Sequence, residues 1–394
     1  MKKLSILAAA PLAAVGIGLA AYTAPTYAAG ATTLTQADVT AALADIDGEA
    51  HNGVTCFTGD ICVLAANEYT LGEDLNFGDS TLFIRNNATV DLGGKTITSD
   101  TQTMFVSDAT VTLKNGTIAS TVDYAEALGA GNDTGTTNLT LNGITIGDNN
   151  RVMFGESATV TLNGSSIGIM KAESNVNLTI NSGSYGSINL DNVTATINGG
   201  TFTGAGGASP VYVGIDADMT GIADTTKLTI NDGTFTSAGD KGLEALHYGS
   251  IAINGGTFTG AVAGFGIGDY QGNITISGGT FKSTGSADNT AAITIIGATD
   301  TSIADRLLAA NHRYTNPSVK AVSLPGLGGG DYLFIGGTET SVTSGAAEED
   351  SISAPKSGVM TSEAGSAAAT LAPAAIVALG GAVAFAKAKS KKES

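Results

Sequence analysis

A nine-residue unit recurs through the middle of this chain and restricts what it can fold into. It appears as Thr110-Val-Thr-Leu-Lys-Asn-Gly-Thr-Ile118, Asn138-Leu-Thr-Leu-Asn-Gly-Ile-Thr-Ile146 and Thr159-Val-Thr-Leu-Asn-Gly-Ser-Ser-Ile167. It continues as Asn177 to Tyr185, Lys227 to Phe235 and Asn273 to Phe281, with shorter copies ending at Phe202 and Phe258. Before the Asn/Gly pair, apolar residues alternate with Thr, which is the period of a strand with one face buried. The Asn or Gly supplies the positive φ of a sharp corner. After the corner one Ile or Phe points inward between outward Thr or Ser. No unit carries the three-and-four spacing of a helix.

The anchors are Leu92, Leu113, Leu141, Leu162, Ile180, Ile197, Ile230, Ile253, Ile276 and Ile295, recurring about every twenty residues. That period is too short for a propeller blade. It predicts an all-β solenoid, a right-handed parallel β-helix of about ten coils over residues 81–300. At about 4.8 Å per stacked strand it would extend roughly 45 Å. Stacking should set Leu/Ile on Leu/Ile, Phe on Phe and Asn on Asn. With 54 Gly and no Trp among 394 residues, the chain is poor in the large side chains of an ordinary globular core.

Residues 29–80 read as an N-terminal cap region, in which Thr35-Gln-Ala-Asp38 opens a short helix carrying Val39, Leu43 and Ile46 on one face. Residues 301–340 read as the opposite cap, with a short helix over 303–310 and a closing strand at Tyr332 to Ile335. Two steps of the repeat are oversized. One holds Ala125 to Thr137, the other Gly204 to Thr225 with Tyr212, Asp216, Asp218 and Asp224. Such departures are where binding sites tend to be grafted.

Both ends read as targeting devices. Lys2 and Lys3, the apolar run Leu4 to Ala21 and Thr26-Tyr27-Ala28 make residues 1–28 a signal peptide. Residues 341–366 form a flexible linker poor in packing residues. Residues 367–386 carry no charge and are long enough to span a bilayer as a transmembrane helix, and the Lys-rich tail 387–394 would hold that end in the cytoplasm. Cys56 and Cys62, the only cysteines, read as a local disulfide in an oxidising compartment, with two free thiols as the other reading. The net charge of −18 excludes generic binding to nucleic acid.

The alternating strand, the Asn-Gly corner and the Gly-Thr-Phe-Thr unit together resemble the pectin-lyase-like right-handed β-helix. That superfamily includes polysaccharide lyases and hydrolases, adhesins and phage tailspikes. The whole layout is similar to non-enzymatic surface proteins of cell-walled bacteria. Ala354-Pro355-Lys356-Ser357-Gly358 is similar to the sortase signal Leu-Pro-x-Thr-Gly, with Ala for Leu and Ser for Thr. It reads as a wall-sorting signal or as a turn in the linker.

The chemistry of the family is harder to place. A lyase needs a base beside a sugar carboxylate, and the repeats offer Arg85, Lys95, Lys114, Arg151, Lys171, Lys227, Lys241 and Lys282. Arg151 and Lys171 are about one coil apart, and no carboxylate cluster stands out beside them. The paired carboxylates and Gly-His-Gly of a polygalacturonase-type hydrolase are absent, and His51, His247 and His312 are scattered. No metal, cofactor or catalytic residue is assigned. The Thr96/Thr98, Thr201/Thr203, Thr234/Thr236 and Thr257/Thr259 pairs are expected on one outer face, as a hydroxyl array or simply as good strand residues. The function expected is a non-enzymatic cell-surface adhesin that binds surface glycans or host or neighbour-cell proteins. It would be exported and held to the cell wall by sortase or to the membrane by its C-terminal helix. A lyase acting on acidic glycans and a passive envelope protein are the alternatives.

Overall fold

The computed structural model describes residues 31–345 apart from 46–47, 59, 133, 215–224, 247–248, 269, 271, 287–289 and 325–329. The chain divides into two units, residues 1–346 and 347–394, and every described residue belongs to the first. The described residues are all-β but for short helices. The expected signal peptide, the 354–358 signal, the 367–386 span, the basic tail, Ile46, His247 and the Asp216/Asp218/Asp224 loop lie outside the described residues. Among the described residues no helix is long and apolar enough to cross a membrane.

Strands pair in parallel with the copy of themselves one repeat later, and the chain visits three such stacks in constant order. The first stack runs from Asn67–Leu71 through Ala88–Asp91 and the starts of Thr110–Ser120, Asn138–Phe154, Thr159–Glu173 and Asn177–Asp191. It continues to Thr194–Ile197, Lys227–Ile230, Ser250–Ile253 and Ile274–Ile276. The second stack follows each Asn/Gly corner and aligns Ile97, Ile118, Ile146, Ile167, Tyr185, Phe202, Phe235, Phe258 and Phe281. (Across the step from Ile118 to Ile146 the neighbouring Thr117 and Thr145 are the paired residues.) The third joins Ile61–Leu64, Thr81–Ile84, Met104–Ser107, Glu126–Gly131 and the far ends of the long strands. It goes on to Val211–Val213, Lys241–Ala245, Ala263–Ile267 and Ala291–Ile296.

Burial follows the sequence period. The anchors Leu113, Leu141, Leu162, Ile180, Ile197, Ile230, Ile253 and Ile276 are in register and buried. From Tyr185 to Phe281 the aromatic rings stack at 4.5–5.1 Å between centroids. Each such contact adds about 0.5–1.5 kcal/mol beyond the area it buries. At the corners the asparagines form a ladder. Asn163 donates to Asn142, Asn181 to Asn163, Asn198 to Asn181, Asn231 to Asn198 and Asn254 to Asn231, all at 2.7–2.9 Å. Ser277 Oγ closes the row by donating to Asn254 Oδ1 at 2.9 Å.

Two anchors need correction. Val90, not Leu92, pairs with Leu113, while Thr96 still pairs with Thr117. The corner between them is longer in the earlier repeat, because Gly93 and Gly94 both take positive φ there. Ile295 belongs to the third stack, opposite Ile267, and Leu308 follows Ile276 in the first. The sequence unit also holds two strands where each repeat has three. Parallel pairing begins ahead of residue 81, since Thr32–Leu34 already pairs with Asn67–Leu71.

The ends are closed by other structures. Thr35 caps the helix Gln36–Ala44 through a reciprocal bond with Asp38, and Val39 and Ala42 are buried beneath it. The hairpin Val54–Phe57 with Ile61–Leu64 sets Cys56 opposite Cys62, and the two sulfurs are bonded. At the other end only Ile303–Arg306 of the expected 303–310 helix is α-helical. Gly330–Ile335 and Glu339–Ser344 lie antiparallel on Ala291–Ile296 and Thr280–Ser283. In the second and third stacks parallel pairing therefore ends in strands of opposite sense.

Candidate functional site

The outward face of the third stack differs from the other two. The first stack presents a half-buried threonine column, Thr89, Thr112, Thr140, Thr161, Thr179, Thr196 and Thr229, each in register with the next. An open groove of about 450 Å³ lies at its early end, lined by Asn67, Glu68, Asn87, Thr89, Thr110 and Thr112 among others. The second stack aligns Thr201, Thr234 and Thr257, and beside them Thr203, Thr236 and Thr259. Thr96 joins the same row through Thr117, Thr145, Ser166 and Ser184. These are hydroxyl faces. The third stack instead brings charged, amide and aromatic side chains together.

The turn at residues 121–125 is built to hold its shape. Asn150, 4 % exposed, accepts from Ser120 N at 3.0 Å and donates to the carbonyls of Ser120 and Val122 at 3.2 and 3.3 Å. Tyr124 N donates to Asn149 O, Ala125 N to Val122 O and Arg151 N to Ala125 O. Thus the next repeat pins the turn from below. Its two apolar side chains face outward, Val122 49 % and Tyr124 61 % exposed, and they are the exposed large hydrophobics among the described residues.

Tyr124 sits at φ 61°, a left-handed conformation otherwise taken by Asn, Asp, Ser, Glu and Gly among the described residues. That conformation costs an ordinary L-residue about 1–2 kcal/mol. The guanidinium of Arg151 lies 5.7 Å from the centre of the Tyr124 ring. At an exposed site such a contact is worth about 0.5–1 kcal/mol and does not clearly offset the strain. The fold alone gives no reason for tyrosine here.

Glu126 follows on the same segment, opposite Arg151 in the parallel register. Gln102 Nε2 donates to its carboxylate. Gly129 separates it from Phe105, and a Cβ at Gly129 would lie 2.6 Å from Phe105 Cδ2 and would also strike the Glu126 carboxylate. Burial pushes Glu126 up to about 7 against the pull of the Gln102 bond, and the charge of Glu173 adds to the rise. Glu173 is bound to Lys171 Nζ at 2.5 Å. Beyond it Lys171 is in register with half-buried Asn189, whose Oδ1 is buried without a hydrogen-bond partner.

Arg151 and Lys171 do lie on neighbouring strands. However, Arg151 pairs with Ile169 and Met153 with Lys171, so the two cations are offset by one strand period. The expectation that no carboxylate cluster stands beside them is overturned by Glu126 and Glu173. Glu126 lies in the oversized step, and only the register brings it under Arg151. The exposed aromatic inside that step was its one visible signal.

Five other sequence candidates are engaged elsewhere. Arg85 pairs with Asp108 at 3.2 Å, Lys241 with Asp240 and Glu244 at 3.0 and 2.7 Å, and Lys282 with Glu339 at 3.3 Å. His51 lies 3.4 Å from Asp45, and His312 Nδ1 is 2.9 Å from Ala310 O. Among the described residues no group of three or more His, Cys, Asp or Glu is placed to hold a metal ion. Chemically, the third-stack face offers an apolar platform, a guanidinium lying over it, a carboxyl that stays protonated toward neutrality, and amide groups. That set suits a ligand with both hydroxyls and apolar C–H faces. In comparisons with known proteins, no family model, no curated protein and no solved structure matches this chain.

Proposed function

We propose that this chain is a non-enzymatic adhesin displayed on the surface of a cell-walled bacterium. In this reading the three parallel stacks are the faces of a right-handed β-helix of the pectin-lyase-like kind. The sense of the coil follows from the strong right-handed preference of parallel crossovers. Signal peptide, linker, sorting motif and membrane span export the helix and hold it away from the envelope, where it meets glycans or proteins of a host or neighbouring cell. The observation that carries this reading is the pinned 121–125 turn, which holds Tyr124 in a strained conformation and presents it to solvent. Strain retained at an exposed position is a mark of function.

The test is adhesion by whole cells. Cells displaying the full chain should bind glycan- or protein-coated surfaces in excess of cells lacking it, and equal binding refutes the reading. For the anchor, Pro355→Ala should remove covalently attached protein from wall fractions, and an unchanged amount would leave the membrane span as the sole tether.

A second reading has support at the same face. A carboxyl with a pKa of about 7 near Arg151, Lys171 and Glu173 has the composition of an acid–base site on an acidic polysaccharide. Its signature is rising absorbance from unsaturated products when the full chain is incubated with such a polymer, abolished by Arg151→Ala.

A further inference from the structure

We propose that the 121–125 turn and the third-stack face beside it bind a neutral sugar ring, with Tyr124 as the stacking platform and Arg151, Asp123 and Gln102 as the hydrogen-bonding edge. This rests on the adhesin reading and names the ligand class of its site.

The argument begins with what Tyr124 does not do. It is largely solvent-exposed, so it fills no core position, and its backbone conformation would suit Asn or Gly better. The backbone that carries its ring is held in place, since the turn is bonded to Asn149 and Asn150 of the next repeat. Arg151 lies over the ring but leaves most of the side chain open. An exposed ring on a held turn, next to a planar guanidinium, suits the apolar C–H face of a pyranose, whose hydroxyls project sideways to polar groups. Asp123, exposed on the same turn, supplies acceptors.

Charge selects a neutral ring over an acidic one. Lys171 already holds Glu173 at 2.5 Å, and Arg151 lies over the Tyr124 ring. A uronate would have to displace Glu173 and approach a chain of net charge −18. A neutral ring meets neither cost.

The experiment measures binding of the full chain in detergent to cello-, chito- and galacto-oligosaccharides, with oligogalacturonate as the acidic arm. At least one neutral oligomer should bind. Tyr124→Ala and Tyr124→Asn should each weaken it by about tenfold or more, and Tyr124→Phe by no more than about threefold. Tyr124→Asn should melt at or above the wild-type temperature, because Asn relieves the strained backbone. Loss of binding without loss of stability separates a ligand contact from a structural role. Undiminished binding by Tyr124→Asn, tighter binding of oligogalacturonate, or no neutral sugar bound by the wild type would each overturn the proposal. Adhesion by cells displaying Tyr124→Asn tells which level has failed. Adhesion that persists rejects this site and leaves the adhesin reading standing, whereas a wild type that never adheres rejects the reading beneath it.

Discussion

A carboxyl group set against Gly129 and Phe105 has little water in which to ionise, and Glu126 shows the consequence. Its folded value of about 7 lies above the usual 4.5. Between those values the folded chain keeps a proton that the unfolded chain releases. Stability attributable to Glu126 is therefore present below pH 4.5, falls as pH rises through about 7, and is flat above. Glu126→Gln keeps the shape without the charge. Relative to wild type it should be more stable at pH 8, by about 3 kcal/mol at most, and nearly equal at pH 4.5. Urea midpoints at the two pH values check this, and a difference that does not grow with pH sinks the assignment. Nothing local in the sequence marks Glu126. Its environment is made by burial, Gln102 and Glu173, which only the register gathers. By contrast Asn142, Asn163, Asn181, Asn198, Asn231 and Asn254 were legible as a ladder, because each occupies the same place in its unit.

At the scale of the element, two ladders run through the repeats, and their magnitudes decide which one holds them. Phe235 is buried between Phe202 and Phe258, with ring centroids 4.5 and 4.6 Å away. Phe235→Ala loses both contacts and leaves a cavity, at a cost of about 3–5 kcal/mol. Asn231 gives one amide bond to Asn198 and takes one from Asn254, but these bonds are exposed and water replaces them. Asn231→Ala should cost about 1–2 kcal/mol. Thermal unfolding of the two variants tests this ranking, and equal costs would mean that the outer ladder carries the stack. The first two strands of each repeat were readable from alternation and from the corner. The third was not, because its outward positions change from Phe105 to Gly129, Met153, Lys171 and Asn189 with no fixed corner residue. The variable strand is the one that carries the candidate site. A face that gives up regularity can hold different chemistry in each repeat, while the inward residues keep the stack.

For the first unit as a whole, the question is what stops stacking from continuing between molecules. A parallel strand at the end of a stack offers unpaired N–H and C=O groups to any copy of itself. Here Glu339–Ser344 covers Thr280–Ser283, Gly330–Ile335 covers Ala291–Ile296, and Leu308 bridges to Ile276. The outermost partner, Val319–Leu324, is antiparallel and has no buried residue, with Lys320 exposed on it. It does not reproduce the parallel template. A chain ending at Gly297 would lose all three covers and expose three edges at once. Such a chain should self-associate. Because the full sequence carries a net charge of −18, repulsion should hold the truncated copies apart at low ionic strength. Screening falls from about 30 Å at 0.01 M salt to about 3 Å at 1 M, so association should strengthen steeply as salt is raised. Sedimentation velocity across that range distinguishes the cases. The full chain stays at one size, while the truncated chain shifts to larger species as salt rises. A truncated chain that remains monomeric and folded in high salt would show that the antiparallel strands do not guard the edge, and that closure lies in the last parallel strands themselves.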